Sequence, residues 1–218
     1  MTVHFVNLLE ELQRRSFRMA SQVEDLLEEA CDALFRTDET LAGRVISRDN
    51  EIDQEEVQIE AEVIRLMSLY QPMGMDMRLL CTILKVNNDL ERVADCAVNI
   101  AERARHLDIA LVPDESADVK EMVPIVQRML HNACQGYRRR DAEVARSVLA
   151  QESMVDALYG QTIRRIVAEA SKANDHIAAQ LDMLSVAKNL ERIADHATNI
   201  AEDVIFLDTG EIVRHRQR

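Results

Sequence analysis

The sequence predicts an all-α protein made of two tandem antiparallel three-helix bundles, with six long helices and an internal pseudo-twofold repeat. Residues typical of turns and sheets are scarce, since the 218 residues include only 5 Gly, 3 Pro and 3% aromatic residues. Apolar residues recur at helical spacing along nearly the whole chain. Residues 84–102 recur at 184–202 with twelve of nineteen positions identical. These observations indicate a duplicated helical unit.

Three helices are predicted in the first half of the chain, and we assign them to a first bundle at residues 1–108. Thr2 is the candidate N-cap of the first helix. The sequence Gln71-Pro72-Met73-Gly74 stops the second helix, because proline and glycine interrupt helical backbone. The predicted helices are 3–35, 37–70 and 76–107.

The second half repeats this organisation after a connection at residues 108–116 that contains Pro113. We assign a second bundle to residues 114–218, including a short basic tail at 214–218 that we expect to fray. Asp141 and Asp175 are the expected N-caps of its last two helices. The predicted helices are 116–139, 141–173 and 175–207.

The third and sixth helices carry apolar residues at alternating spacings of four and three. A stripe of this kind is typical of a coiled-coil-like seam, so these residues are the predicted core. They are Leu79, Ile83, Val86, Leu90, Val93, Ala97, Ile100, Ala104 and Leu107, and then Met183, Val186, Leu190, Ile193, Ala197, Ile200, Val204 and Leu207.

Four helical segments share the pattern acid-x-x-x-Asp. The spacing places both carboxylates of a pair on one helix face, one turn apart. On a helical wheel this face points away from the apolar stripe, so we expect the acids to be accessible. The pairs are Asp49/Asp53 and Glu91/Asp95 in the first half, and Glu152/Asp156 and Glu191/Asp195 in the second.

Converging carboxylates repel one another unless a cation lies between them, and ligands that are all oxygen suit hard cations. Acidic residues on an outer helix face are usually only solvated. The recurrence in both halves, with Asn99 and Asn199 one turn beyond as accessory ligands, favours one metal site in each repeat. Iron, Mn²⁺, Mg²⁺, Ca²⁺ and Zn²⁺ are the candidates, although a thiolate zinc site has no support.

Other residues carry weaker signals for chemistry. His196 adjoins Asp195, but its counterpart in the first repeat is Cys96, so we expect a helix-surface histidine. Arg92 and Arg192 are expected to pair with neighbouring acids rather than to bind an anion. The three methionines near Pro72 are expected to pack in the turn; an adaptable contact patch is the alternative. They are Met73, Met75 and Met77.

Charge and composition limit the environment and the partners. The net charge of −13 and the isoelectric point near 4.9 disfavour nucleic acid and anionic membrane surfaces. Neither a signal peptide nor an apolar span of membrane length is recognisable. The four cysteines form no Cys-x-x-Cys pair, so we expect reduced, mostly buried thiols in a cytoplasmic protein. They are Cys31, Cys81, Cys96 and Cys134.

The repeated segments resemble the PhoU family of bacterial phosphate-uptake regulators. The resemblance rests on Leu-Glu-Arg-Val-Ala-Asp at 90–95, on Leu-Glu-Arg-Ile-Ala-Asp at 190–195, and on Gln71-Pro72 followed by Asp-Met-Arg-Leu at 76–79. It implies multinuclear metal sites on the bundle surface, built from the four acidic pairs. It also implies contacts with the ATPase of a phosphate ABC transporter and with a phosphate-sensing histidine kinase, a homodimer, and membrane association only through partners.

The leading hypothesis is therefore a cytoplasmic, non-enzymatic, metal-binding negative regulator of phosphate transport and phosphate-starvation signalling. A metal-free helical scaffold, whose acidic face binds basic partners, is one alternative. A carboxylate-bridged metalloenzyme is the other, and the lack of Glu-x-x-His pairs argues against it.

Overall fold

A computed structural model of the protein describes residues 3–170 and 176–213. This part of the chain forms seven α-helices and one short 3₁₀ turn, and it contains no strand. The prediction of an all-α fold with two tandem helical bundles is confirmed. The elements are α1 (Val3–Arg36), α2 (Glu39–Tyr70), α3 (Met75–Ala104), the 3₁₀ turn (Ile109–Leu111), α4 (Pro113–Arg139), α5 (Ala142–Leu149), α6 (Glu152–Ala170) and α7 (Ile177–Thr209).

Helices α1, α2 and α3 pack against one another, and α4 packs with α5, α6 and α7. The two bundles are joined along α3 and α7, with a smaller contact between α1 and α4. Every residue of the two predicted 4-3 stripes is buried in one continuous apolar core. The stripe prediction is therefore confirmed along its full length.

The prediction of a single fifth helix at 141–173 is wrong, because the helix is interrupted at Ala150 and Gln151. In an uninterrupted helix the Gln151 N–H would bond to the Ser147 carbonyl. Here the Gln151 side-chain Nε2 donates to that carbonyl at 3.0 Å, and the backbone N–H bonds to Val148 instead at 2.9 Å. A glutamine side chain thus ends α5 without a glycine or proline.

The ends of the helices have local causes. Asp141 caps α5 as predicted, since its carboxylate accepts from the N–H groups of Glu143 at 2.9 Å and Val144 at 3.1 Å. The fourth helix begins earlier than predicted, because Pro113 suits the first helical position. The third ends earlier, at Ala104. The predicted roles of Thr2, Asp175 and the tail lie outside the described residues.

Polar side chains connect the two bundles along the seam between α3 and α7. Lys85 Nζ lies 3.0 Å from Asp203 Oδ1, and Arg78 Nη1 donates to the Leu207 carbonyl at 3.4 Å. Arg78 and Lys85 also approach the Phe206 ring, each 5.5 Å from its centroid. The start of α3 therefore lies beside the end of α7, so these helices are antiparallel and join the two repeats side by side.

Gly210, which ends α7, suits its position at this seam better than a residue with a Cβ would. Its φ of +79° favours glycine, and an added Cβ would lie 2.8 Å from Arg78 Nη2. Gly210→Ala is therefore expected to lower the free energy of unfolding by about 1–2 kcal/mol in equilibrium urea denaturation. Gly43→Ala is the control, because its added Cβ meets open space within α2. That change is expected to raise stability by about 1 kcal/mol, and equal effects of both substitutions would contradict this account.

Candidate metal centres

The first acidic group forms where α2 and α3 lie side by side. Asp49 and Asp53 come from α2, and Glu91 and Asp95 come from α3. The negative charges of Asp53 and Asp95 raise the pKa of Asp49, and the same two charges raise the pKa of Glu91. The two predicted pairs therefore face each other across the helix contact. We call this group the first cluster.

Two further carboxylates belong to this region, and the acid-x-x-x-Asp pattern did not predict them. Glu56 interacts with Asp53 and Glu91, and Glu102 interacts with Asp49. Glu56 lies three residues after Asp53, on the same face of α2, and this spacing was the signal that could have found it. We include Glu56 in the first cluster.

Burial and mutual repulsion disfavour full ionisation in the first cluster. Burial is the main cause that raises the pKa of Asp49, Glu56 and Glu91, and neighbouring carboxylates raise it further. Asp49 Oδ1 is buried, and it has no hydrogen-bond partner among the described residues. A buried carboxylate oxygen of this kind is a position that a cation would satisfy.

Arg92 is a basic side chain that contacts the first cluster. Its Nε lies 3.2 Å from Glu91 Oε2, and its Nη1 lies 3.2 Å from Asp95 Oδ2. This pairing with neighbouring acids agrees with expectation. One guanidinium therefore offsets part of the negative charge of five carboxylates.

The second acidic group lies where α6 and α7 meet, and we call it the second cluster. Glu152 and Asp156 come from α6, and Glu191 and Asp195 come from α7. Burial raises the pKa of Asp195, and the charges of the other three acids raise it further. Asp195 therefore lies within electrostatic range of the other three predicted acids of this repeat. Lys188 joins them, since its Nζ lies 2.6 Å from Glu191 Oε2.

The two accessory asparagines do not point into the clusters. Asn99 donates through Nδ2 to the backbone carbonyl of Asp95 at 2.8 Å. Asn199 donates to Asp89 Oδ1 at 3.3 Å, which directs it toward the other repeat. The expectation of a helix-surface His196 is wrong. Its side chain is only 18% exposed, and its Nδ1 lies 2.8 Å from Asp89 Oδ1 between α3 and α7.

The donor set fits a hard cation, because both clusters offer only carboxylate oxygens and Asp49 holds one of them unpartnered. The side chains are not arranged for immediate ligation. Across residues 3–170 and 176–213, no three His, Cys, Asp or Glu side chains converge as a metal group. Arg92 and Lys188 hold several of these carboxylates, so ligation requires those carboxylates to turn away from their basic partners.

The cysteines are poor ligands. Cys31, Cys96 and Cys134 are buried, and all four thiols are free. Burial raises the pKa of Cys31 to about 12 and that of Cys96 to about 11. These thiols therefore stay protonated at neutral pH, whereas metal ligation needs a thiolate.

The methionines after Pro72 are exposed, so the expectation that they pack in the turn is wrong. Met73 is 85% exposed, and Met75 and Met77 also face solvent. Pro72 itself is buried.

The helices within residues 3–170 and 176–213 include none with an apolar stretch of the length that a membrane span needs.

The raised pKa values predict how stability depends on pH in the metal-free protein. The folded-state pKa of Asp49, Glu56, Glu91 and Asp195 lies above the ordinary value, so the folded protein binds protons more readily than the unfolded chain. Their contribution to the free energy of unfolding therefore increases as pH falls from neutral toward about 5. Glu91→Gln is expected to reduce this increase, as measured by urea denaturation across the pH range.

Glu62→Gln is the control with the opposite sign. The hydrogen bond from Arg65 lowers the pKa of Glu62, so this residue loses stabilisation on acidification. Glu62→Gln is therefore expected to make the free energy of unfolding increase more steeply as pH falls. An unchanged pH dependence in Glu91→Gln would contradict the repulsion inferred for the first cluster.

Comparison with known proteins places this architecture in a family. The family model described as the PhoU domain matches the chain twice, at residues 17–104 and 119–204. The phosphate-specific transport system accessory protein PhoU homolog of Pseudomonas aeruginosa is 35% identical over 208 residues, covering 95% of this chain and 86% of the relative. The homolog from Aquifex aeolicus is 36% identical over 208 residues, covering 95% and 94%.

Solved structures agree with these relatives. The crystal structure of PhoU from Pseudomonas aeruginosa matches with a TM-score of 0.90 and 33% identity, over 95% of this chain and 100% of that one. The phosphate transport system regulatory protein PhoU from Streptococcus pneumoniae matches with a TM-score of 0.88 and 26% identity, over 96% and 99%. Since the domain matches twice and the relatives align over almost the whole chain, the protein belongs to the PhoU family.

Proposed function

We propose that this protein is a cytoplasmic, metal-binding regulator of phosphate uptake and of phosphate-starvation signalling. The names of its relatives, which are accessory proteins of phosphate-specific transport systems, support the regulatory role. The observation that carries the metal-binding part is the presence of facing acidic pairs at equivalent positions of both repeats, with Asp49 Oδ1 buried and unpartnered in the first.

The residues that would hold the metal ions lie on two helices in each repeat. Asp49, Asp53, Glu91 and Asp95 would hold one site, and Glu152, Asp156, Glu191 and Asp195 would hold the other. A bound hard cation supplies positive charge that links the two helices and that a partner's carboxylate or a phosphate can approach. The carboxylates themselves set the selectivity for iron, Mn²⁺, Mg²⁺, Ca²⁺ or Zn²⁺ through their charge and spacing.

The role is non-catalytic and works through protein contacts. The proposed partners are the ATPase of the phosphate ABC transporter, its phosphate-sensing histidine kinase and a second copy of this chain, so the protein reaches the membrane only through partners. Exposed methionines around Met73 support a contact surface at the turn between α2 and α3. Val57 and Ile64, exposed one above the other on α2, support a second one.

A deletion strain carrying a phosphate-starvation reporter tests the regulatory role. Deletion is expected to switch the reporter on in high phosphate, and the wild-type gene is expected to restore repression. Unchanged reporter expression in the deletion strain would contradict the regulatory role. Cross-linking in cells, read by mass spectrometry, tests the ATPase, the kinase and the second copy as separate partners.

A metal-free helical adaptor is the second candidate, because Arg92 and Lys188 already neutralise part of each cluster. The two candidates are separated by replacing Glu91, Asp95, Glu191 and Asp195 with their amides. Full repression by this metal-free variant would favour the adaptor. Loss of repression, with the helical fold retained by circular dichroism, supports the metal-binding regulator.

A further inference from the structure

Two equivalent positions give the two clusters different charges. Residues 84–102 align with 184–202 at an offset of 100, so Asn88 corresponds to Lys188. The α2 and α6 pairs align at an offset of 103, so Glu56 corresponds to Tyr159. The second repeat therefore gains an ammonium group where the first has an amide. It also has an aromatic ring where the first has a carboxylate.

These two differences act together in the second cluster. Lys188 Nζ lies 2.6 Å from Glu191 Oε2 and 5.3 Å from the centroid of the Tyr159 ring. An ammonium over an aromatic face is attracted by the ring, and a charge-assisted hydrogen bond holds its other side. A lysine side chain is charged at neutral pH, so Lys188 brings a positive charge into the second cluster.

The first cluster has a different counter-cation and no ammonium over an aromatic ring. Arg92 contacts Glu91 and Asp95 there at 3.2 Å, but the second repeat also has an arginine, Arg192, at that position. The arginine is thus common to both repeats, and it does not distinguish them by sequence. What distinguishes them is a fifth carboxylate, Glu56, in the first cluster and the ammonium of Lys188 in the second.

We propose that Lys188 is a built-in counter-cation of the second cluster that competes with metal ions for Glu191 and so weakens metal binding at this cluster. This inference rests on the metal binding proposed above. A metal ion entering the second cluster must displace Nζ from the Glu191 carboxylate and overcome its repulsion. In the first cluster Asn88 adds no such cost, because it is uncharged. The corresponding competition there comes from Arg92, which contacts Glu91 and Asp95.

The test is calorimetric titration with Mn²⁺ in a protein whose first cluster is disabled by Glu91→Gln and Asp95→Asn. In that background, Lys188→Asn, which installs the residue of the first repeat, is expected to raise the association constant of the second cluster about tenfold or more. Lys120→Asn is the matched control. It also removes a lysine that lies over an aromatic ring, 5.5 Å from the centroid of Phe35, but on α4. It is expected to leave the association constant unchanged.

A second measurement needs no metal. In chelator-treated protein, Lys188→Asn is expected to lower the melting temperature by about 2–4 °C, because it leaves the second cluster without its ammonium. The same substitution is expected to have little effect once Glu191→Gln has removed the paired carboxylate. Equal losses in both backgrounds would overturn the counter-cation role.

The outcomes separate this inference from the proposed function. Mn²⁺ binding that Lys188→Asn leaves unchanged or weakens overturns the inference and leaves metal binding standing. Absence of Mn²⁺ binding in the wild type and in the Lys188→Asn protein overturns both.

Discussion

Replacing Glu91 by Gln and Asp95 by Asn is expected to weaken Mn²⁺ binding at the first cluster by about 100-fold or more. The substitutions keep the size of both side chains but remove two of the charges that face Asp49 and Asp53. Hard cations bind carboxylates largely through charge, so each lost charge is expected to cost about tenfold or more in affinity. Calorimetric titration of metal-free protein with Mn²⁺ measures the change.

The chain supplies a matched control for this experiment. Glu28 and Asp32 on α1 have the same Glu-x-x-x-Asp spacing, but Asp32 pairs with Arg36 at 2.8 Å. Glu28→Gln with Asp32→Asn makes the same chemical change outside both clusters, so Mn²⁺ affinity is expected to stay unchanged. A similar loss of affinity in both double variants would show that general surface charge, rather than the first cluster, attracts the ion.

Leu190→Ala is expected to lower the free energy of unfolding by about 2–5 kcal/mol. Leu190 is fully buried in the predicted stripe of α7, so shortening its side chain removes apolar contacts and leaves a cavity. Equilibrium denaturation measures the change, and a two-state transition with an unchanged dependence on denaturant is needed for the comparison.

Leu181→Ala, on the same helix, is the control. Leu181 is 54% exposed and lies outside the stripe, so its replacement is expected to change stability by about 0.5 kcal/mol or less. Equal losses at the two positions would contradict the burial of the α7 stripe.

Periodicity predicted the core, because burial of an apolar stripe follows directly from the 4-3 spacing. It correctly placed residues as far apart as Leu79 and Leu207 in the interior. The break between α5 and α6 escaped prediction for a physical reason. It depends on the Gln151 side chain replacing a backbone donor, and no glycine or proline marks the position.

The sequence indicated the acidic pairs because they recur in both halves, and the structure places each set of four on two adjacent helices, where their charges influence one another. What periodicity could not supply was contact across the repeats. His196 was misplaced on the helix surface since its partner, Asp89, lies 107 residues away on α3. Lys188 was overlooked for a related reason. Its significance depends on the Tyr159 ring of α6, which only the packing of α6 against α7 brings near.

Elemental analysis of protein purified without added metal, by plasma mass spectrometry, tests whether the two clusters bind metal ions. We expect at least one iron, manganese, magnesium, calcium or zinc ion per chain. We also expect that the variant with Glu91, Asp95, Glu191 and Asp195 changed to amides loses this metal while it keeps its helical fold. A wild-type protein that is metal-free as purified, takes up none on titration and still restores phosphate repression would contradict the account.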